Sequence, residues 1–216
     1  MNIKIKEVTI PVDDAFLHGD LHLVENAKGI IIFAHGSGSS RRSERNKAVA
    51  DVLNQNNLST LLFDLLTEEE EPIDLESHAL RFNIPLLAHR LITVTQWIEQ
   101  THHQTKNQKI GYFGASTGAA AALLAAARHP DHVVAIVSRG GRPDLAKEHL
   151  KDVSAPTLLI VGAQDTEVIT LNEQAYNALT CEKKIVLIPG ATHLFEEPGT
   201  LEQVAQISAD WFSNHM

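Results

Sequence analysis

Four short segments constrain this chain more than any other feature: GIIIFA at 29–34, TLLFD at 60–64, VVAIVS at 133–138 and TLLIVG at 157–162. Each is apolar nearly residue after residue, β-branched or leucine-rich, and bounded by turn-forming or polar residues. A strand with one wet face alternates apolar and polar side chains. A strand apolar throughout has both faces covered, which is the situation in a parallel sheet with helices on each side. Longer helix-patterned stretches lie between the runs, at Arg42–Gln55, Ile84–Glu99, Ser116–Arg128, Leu171–Leu179 and Thr200–Phe212, with a short one at Asp144–Leu150. Pro85 suits the first turn of its helix, and Pro130 follows the end of another.

With the further strands Ile110–Phe113 and Ile185–Ile188, the pattern predicts an α/β fold built on a mostly parallel sheet of about eight strands. Ile3–Ile10 and Asp20–Val24 are more alternating, as expected of an antiparallel edge. No Pro/Gly/Ser-rich linker interrupts the chain, so residues 1–216 are expected to form one domain around one core. The acidic run Glu68–Glu71 is expected in a short solvated loop.

Composition removes several function classes. A formal net charge of -9 repels phosphate backbones, so nucleic acid is not expected as a partner. The lone cysteine, Cys181, has no intrachain partner for a disulfide. No apolar run is long enough for a membrane span, and MNIKIKEVTIPVDD has no apolar signal-peptide region, so a cytoplasmic protein without membrane association is expected.

In a sheet of this kind ligands bind beyond the carboxyl ends of the strands. Chemistry-bearing residues gather there. After IGYF comes Gly114-Ala115-Ser116-Thr117-Gly118, a G-x-S-x-G turn between a strand and a small-residue helix. That is the context in which a serine stands on a sharp, strained turn as a nucleophile. The competing reading is a serine capping the helix. A serine needs a base, and the base needs an orienting group. His193 follows the last strand in a Gly-rich loop, and Asp165 follows the strand before it. The chain order Ser116, Asp165, His193 is that of the triad on such a sheet. Asp144 and Glu167 compete for the acid's place.

Two amide donors for an oxyanion are expected: Thr117 N–H, next to the nucleophile, and Ser37 N–H in the loop His35-Gly36-Ser37-Gly38-Ser39-Ser40. His35 either binds substrate or supports its own loop. Among Arg41, Arg42, Arg45, Arg139 and Arg142, Arg139 leaves a strand toward the expected site and is the candidate for an anionic substrate group. Ion pairing with Asp64 or Glu68–Glu71 is the plainer role for these arginines. Phe195, Trp97 and Trp211 are expected to line the core or the pocket. No phosphate loop occurs, and His102-His103 lacks the i, i+4 spacing of two ligands on one helix face, so no metal or cofactor is expected.

Together these residues resemble the α/β-hydrolase superfamily. The nearest likeness is to its dienelactone-hydrolase-like branch, over essentially the whole chain from the strand before His35 through LLIVGAQD to GATHLFEEPG. True dienelactone hydrolases use a cysteine nucleophile, whereas this chain has Ser116, so the resemblance does not imply dienelactone as substrate. The resemblance implies a three-layer hydrolase fold and acyl-transfer chemistry on a small-molecule ester or thioester. Only eighteen residues separate VVAIVS from TLLIVG, which leaves no room for a cap domain. A non-catalytic binding protein and an acyltransferase are the competing expectations.

Overall fold

A computed structural model describes residues 2–13, 15–101, 105 and 108–216; the His102-His103 pair lies outside them. Eight strands form one sheet: β1 (Ile3–Val12), β2 (Ala15–Val24), β3 (Gly29–Ala34), β4 (Leu58–Phe63), β5 (Lys109–Ala115), β6 (Ala135–Arg139), β7 (Thr157–Gly162) and β8 (Lys183–Ile188). Their spatial order is β1-β2-β4-β3-β5-β6-β7-β8. β1 pairs antiparallel with β2, and β2 antiparallel with β4; every later pairing is parallel. The two strands whose sequences alternate are therefore the antiparallel edge. They run longer than the sequence suggests because they form one continuous ten-residue ladder.

Both faces are covered, which explains the unbroken apolar runs. In β3, Ile30, Ile32 and Ala34 pack into one core cluster with side chains of α3 (Ile84–Thr101) and α4 (Thr117–Arg128). Ile31 and Phe33 point the other way, into a cluster with α1 (Glu44–Gln55) and α6 (Thr200–His215). Burying one such side chain is worth about 1.5–3 kcal/mol. α5 (Thr166–Ala178) lies on the α3 and α4 side, where its Ala175 joins the first cluster.

Two expectations about local structure need correcting. The acidic run is not simply a loop: α2 (Glu70–Ser77) starts inside it. Glu70 is anchored by Arg90 of α3 through bonds of 2.6 and 2.7 Å, and a long-range ion pair of this kind leaves no local pattern. α5 begins at Thr166, five residues before the apolar periodicity becomes visible, with Asp165 at its N-cap position. Between β6 and β7 only a short helical segment, Pro143–Asp152, intervenes, and no cap domain is inserted there.

The strand order fixes where a site can be. From β3 the chain moves outward to β4, then returns to β5 on the opposite flank of β3. The loops after β3 and β5 therefore part at a topological switch point and leave a crevice at the sheet's carboxyl edge.

Candidate active site

Ser116 stands between β5 and α4 with φ 50° and ψ −120°. A non-glycine residue there carries backbone strain of about 1–3 kcal/mol, which persists only where the surroundings enforce it. Neighbouring glycines enforce it here. A side chain at Gly114 would run into the backbone of Ala119, and one at Gly118 into the carbonyl oxygens of Ala34 and His35. The turn is therefore pressed between the helix it begins and the end of β3. Ser116 occupies the N-cap position, yet its side chain makes no capping bond, so the hydroxyl is left unused by the helix.

At the ends of β7 and β8 the acid and the imidazole meet. His193 Nδ1 lies 2.7 Å from Asp165 Oδ2, with the carboxylate 15% exposed and the imidazole 39%. Asp165 is also an N-cap residue whose side chain declines the cap; its carboxylate is given to His193. Of the rival acids, Asp144 forms a two-pronged pair with Arg142 at 2.9 Å, and Glu167, on the first turn of α5, makes no hydrogen bond or ion pair with His193 among the described residues. A side chain at Gly140, two strands from β8, would meet the His193 carbonyl and come within 3.6 Å of its Cε1. Ser116 N–H donates to Arg139 O at 3.2 Å, so the serine's turn is tied to the residue before Gly140. No hydrogen bond joins Ser116 to His193 among the described residues; such bonds commonly tighten only when substrate is bound.

The loop after β3 closes on Ser116 from the other flank. A Cβ at Gly36 would sit 3.1 Å from Ser116 Cβ, so the Ser37 amide follows directly on the residue packed against Ser116. The Ser37 and Thr117 amides form no backbone hydrogen bond among those joining turns, loops and caps.

His35 holds this loop in place. Its Nε2 accepts the Leu65 N–H at 3.0 Å, and its Nδ1 lies 2.9 Å from Gly36 O. The ring is thus a neutral Nδ1–H tautomer, joining the loop after β3 to the end of β4. Burial pushes its pKa below the ordinary 6.5, because the charged ring would lose its water, and this outweighs the opposing pull of Gly36 O and Asp64. Both nitrogens are committed to backbone, which is the loop-supporting role, while the ring also lines the cavity beside this loop.

The arginines separate by their partners. Arg41 is buried among Asp64, Asp20 and Glu7, and Arg142 is taken by Asp144. Arg45 pairs with Glu196, in the loop between β8 and α6, at 2.9 Å. Arg139 is 8% exposed and makes no ion pair or hydrogen bond among the described residues; its Nη1 is enclosed with no acceptor. Burial, and then the charge of Arg45, lower its pKa to about 10. Beside the loop after β3 a cavity of about 610 Å³ opens. Leu65, Leu66, Leu75 and Leu87 give it an apolar side and Ser37 and Arg45 a polar one. Phe195 is core, 1% exposed. Among the described residues no three His, Cys, Asp or Glu side chains are grouped to hold a metal ion, and no helix is long and apolar enough to cross a membrane.

A family model described as an alpha/beta hydrolase domain matches residues 27–210. The chain belongs to the α/β-hydrolase family. Among solved structures, a dienelactone hydrolase from Anabaena variabilis is 53% identical, with a TM-score of 0.97 and 99% of each chain covered. This α/β-hydrolase is therefore dienelactone-hydrolase-like. Est1E from Butyrivibrio proteoclasticus shares the fold at 17% identity, with a TM-score of 0.80 over 97% of this chain and 98% of that one. Among curated proteins, two sequences from Mycobacterium tuberculosis strains carry the provisional name phosphoribosyl transferase. Each is 52% identical over 214 residues, spanning 99% of this α/β-hydrolase chain and 47% of the relative. The chain thus spans about half the length of these curated relatives.

Proposed function

We propose that this chain is a serine esterase that hydrolyses small carboxylic esters, or thioesters, through an acyl-Ser116 intermediate. The observation that carries the reading is Ser116, strained onto a turn with its hydroxyl uncommitted, at the crevice where His193 is already oriented by Asp165. Ser116 Oγ attacks the substrate carbonyl carbon while His193 Nε2 takes the hydroxyl proton. Asp165 keeps the other proton on Nδ1 and stabilises the imidazolium, without taking the proton itself. The tetrahedral oxyanion lies against the amides of Ser37 and Thr117. Its collapse expels the alkoxide or thiolate, which leaves with the proton from His193. Water, deprotonated by His193, then attacks the acyl group, and the acid departs as Ser116 recovers its proton. The cavity beside the loop after β3, with its apolar side, suits one portion of a small ester.

The name of the mycobacterial relatives belongs to proteins about twice this length. We assign acyl chemistry to the part this chain spans, since the groups at its crevice are an alcohol, an imidazole and a carboxylate, and we leave phosphoribosyl chemistry to the remainder.

The test is turnover of 4-nitrophenyl acetate and butyrate and of a short acyl thioester, by wild type and Ser116→Ala, with intact mass taken during turnover. Wild-type hydrolysis with an acyl adduct, both lost in Ser116→Ala, is expected. A folded wild type that turns over none of the three would overturn the reading in favour of a binding protein. Turnover only with an added alcohol or thiol acceptor would make it an acyltransferase.

A further inference from the structure

Arg139 poses a problem that the proposed chemistry leaves unsolved. It ends β6, the strand paired with β5, and its main chain holds the turn of Ser116. Its side chain follows the parity of Ala135 and Val137, on the face covered by α1 and α6. A guanidinium offers five N–H donors and needs acceptors when it leaves water. Arg139 is 8% exposed, Nη1 is enclosed, and no acceptor among the described residues reaches any of its nitrogens. The charge that bears on it is of the same sign: Arg45, on the first turn of α1. Arg45 has its Nη1 on Glu196 but its own buried Nε also lacks an acceptor. Of these two guanidiniums only Arg45 reaches a carboxylate. The other buried arginines behave differently: Arg41 has three acids around it, and Arg90 holds Glu70 with two nitrogens.

We propose that Arg139, assisted by Arg45, is an anion subsite of the reaction centre, so that the ester cleaved at Ser116 carries a carboxylate or phosphate group held by these guanidiniums. An oxyanion supplies the acceptors that the fold withholds, and charge-assisted bonds to a planar fork are the strong kind. An empty subsite leaves an unpaired buried cation, which is destabilising; occupancy removes that cost. The inference rests on the esterase reading for its substrate, but the anion site itself is testable without catalysis.

Two measurements separate the two claims. The first is the melting temperature of wild type, Arg139→Met and Arg45→Gln in a non-coordinating buffer, with inorganic phosphate or succinate added, at constant ionic strength set by chloride. Wild type is expected to rise with one or both anions, and Arg139→Met to show no anion-dependent rise. Equal anion response in wild type and Arg139→Met, or none in wild type, overturns the subsite whether or not Ser116 is reactive. The second is the ratio of kcat/KM for 4-nitrophenyl hemisuccinate to that for 4-nitrophenyl butyrate, with a phosphate-bearing ester as the other arm. Arg139→Gln is expected to lower one of these ratios about ten- to a hundredfold, as loss of a charge-assisted bond does, with Arg139→Lys recovering part. The arm that responds identifies carboxylate or phosphate. Ratios that stay constant in Arg139→Gln overturn the proposal while leaving the esterase reading intact. If Arg139→Gln does not fold, Arg139→Lys and Arg45→Gln decide by the same ratios.

Discussion

His35→Phe tests how the loop after β3 is held. Phenylalanine fills much of the imidazole's space but removes both of its bonds. Leu65 is 1% exposed, so its N–H, now bonded to Nε2 at 3.0 Å, is left without an acceptor. An orphaned buried amide costs about 1–3 kcal/mol, and the lost bond to Gly36 O about 1 more. The sum, about 2–4 kcal/mol, lowers the melting temperature of a chain of this size by about 5–15 °C. The same loop presents the Ser37 amide, so kcat for any ester falls while KM moves little. Thermal melts and ester kinetics read the two effects on one preparation. The pH dependence adds a sign. Folding lowers this pKa below 6.5, so the stabilisation is fully present above 6.5 and is lost as pH falls through the folded value. Wild type should therefore lose stability between neutral and mildly acidic pH more steeply than His35→Phe. An unchanged melting temperature together with a raised KM would refute this account and make His35 a substrate contact.

Asp165→Asn leaves the imidazole without its partner and favours the wrong tautomer; kcat should fall about a thousand- to ten-thousandfold with the fold intact by circular dichroism, and a drop under tenfold would point to another acid. Gly118→Ala places a methyl against the Ala34 and His35 carbonyls, so either the turn opens and serine reactivity disappears or the protein fails to accumulate; normal activity would mean that the elbow is not under steric compression. Arg90→Met removes both bonds to Glu70, whose pKa is pushed up by burial but held below 4.5 overall by hydrogen bonds from Arg90 and Thr67. With the pair partly exposed, the loss should be about 1–3 kcal/mol in urea unfolding at pH 7. The pair's contribution is present above 4.5 and lost as pH falls through the folded value, so the difference between wild type and variant should shrink on acidification.

How much of this was readable in the sequence follows from the range of the interactions. The central strands announce themselves because burial on both faces leaves no polar residue to break the run, as in GIIIFA, and the two edge strands because one wet face makes them alternate. Ser116 is legible because its two glycines answer a local steric demand, and Asp165 and His193 because strand ends are where this topology gathers ligands. What stayed hidden depends on residues far apart in the chain. α2 is short and acidic and is fixed by Arg90, twenty positions away, so its sequence reads as a solvated turn. The role of His35 depends on the Leu65 amide, thirty positions on. Among the arginines, composition predicts pairing for all alike; that Arg41 has three acids and Arg139 none emerges only when β1, β2 and β6 are placed in the sheet.

The central claim is that Ser116 is an activated nucleophile. The most direct measurement is intact mass after incubation with a fluorophosphonate, on wild type and Ser116→Ala. The account predicts one covalent adduct on wild type, none on Ser116→Ala, and much slower labelling of His193→Ala. A folded wild type that takes up no label, or a Ser116→Ala protein labelled as fast as wild type, would contradict it.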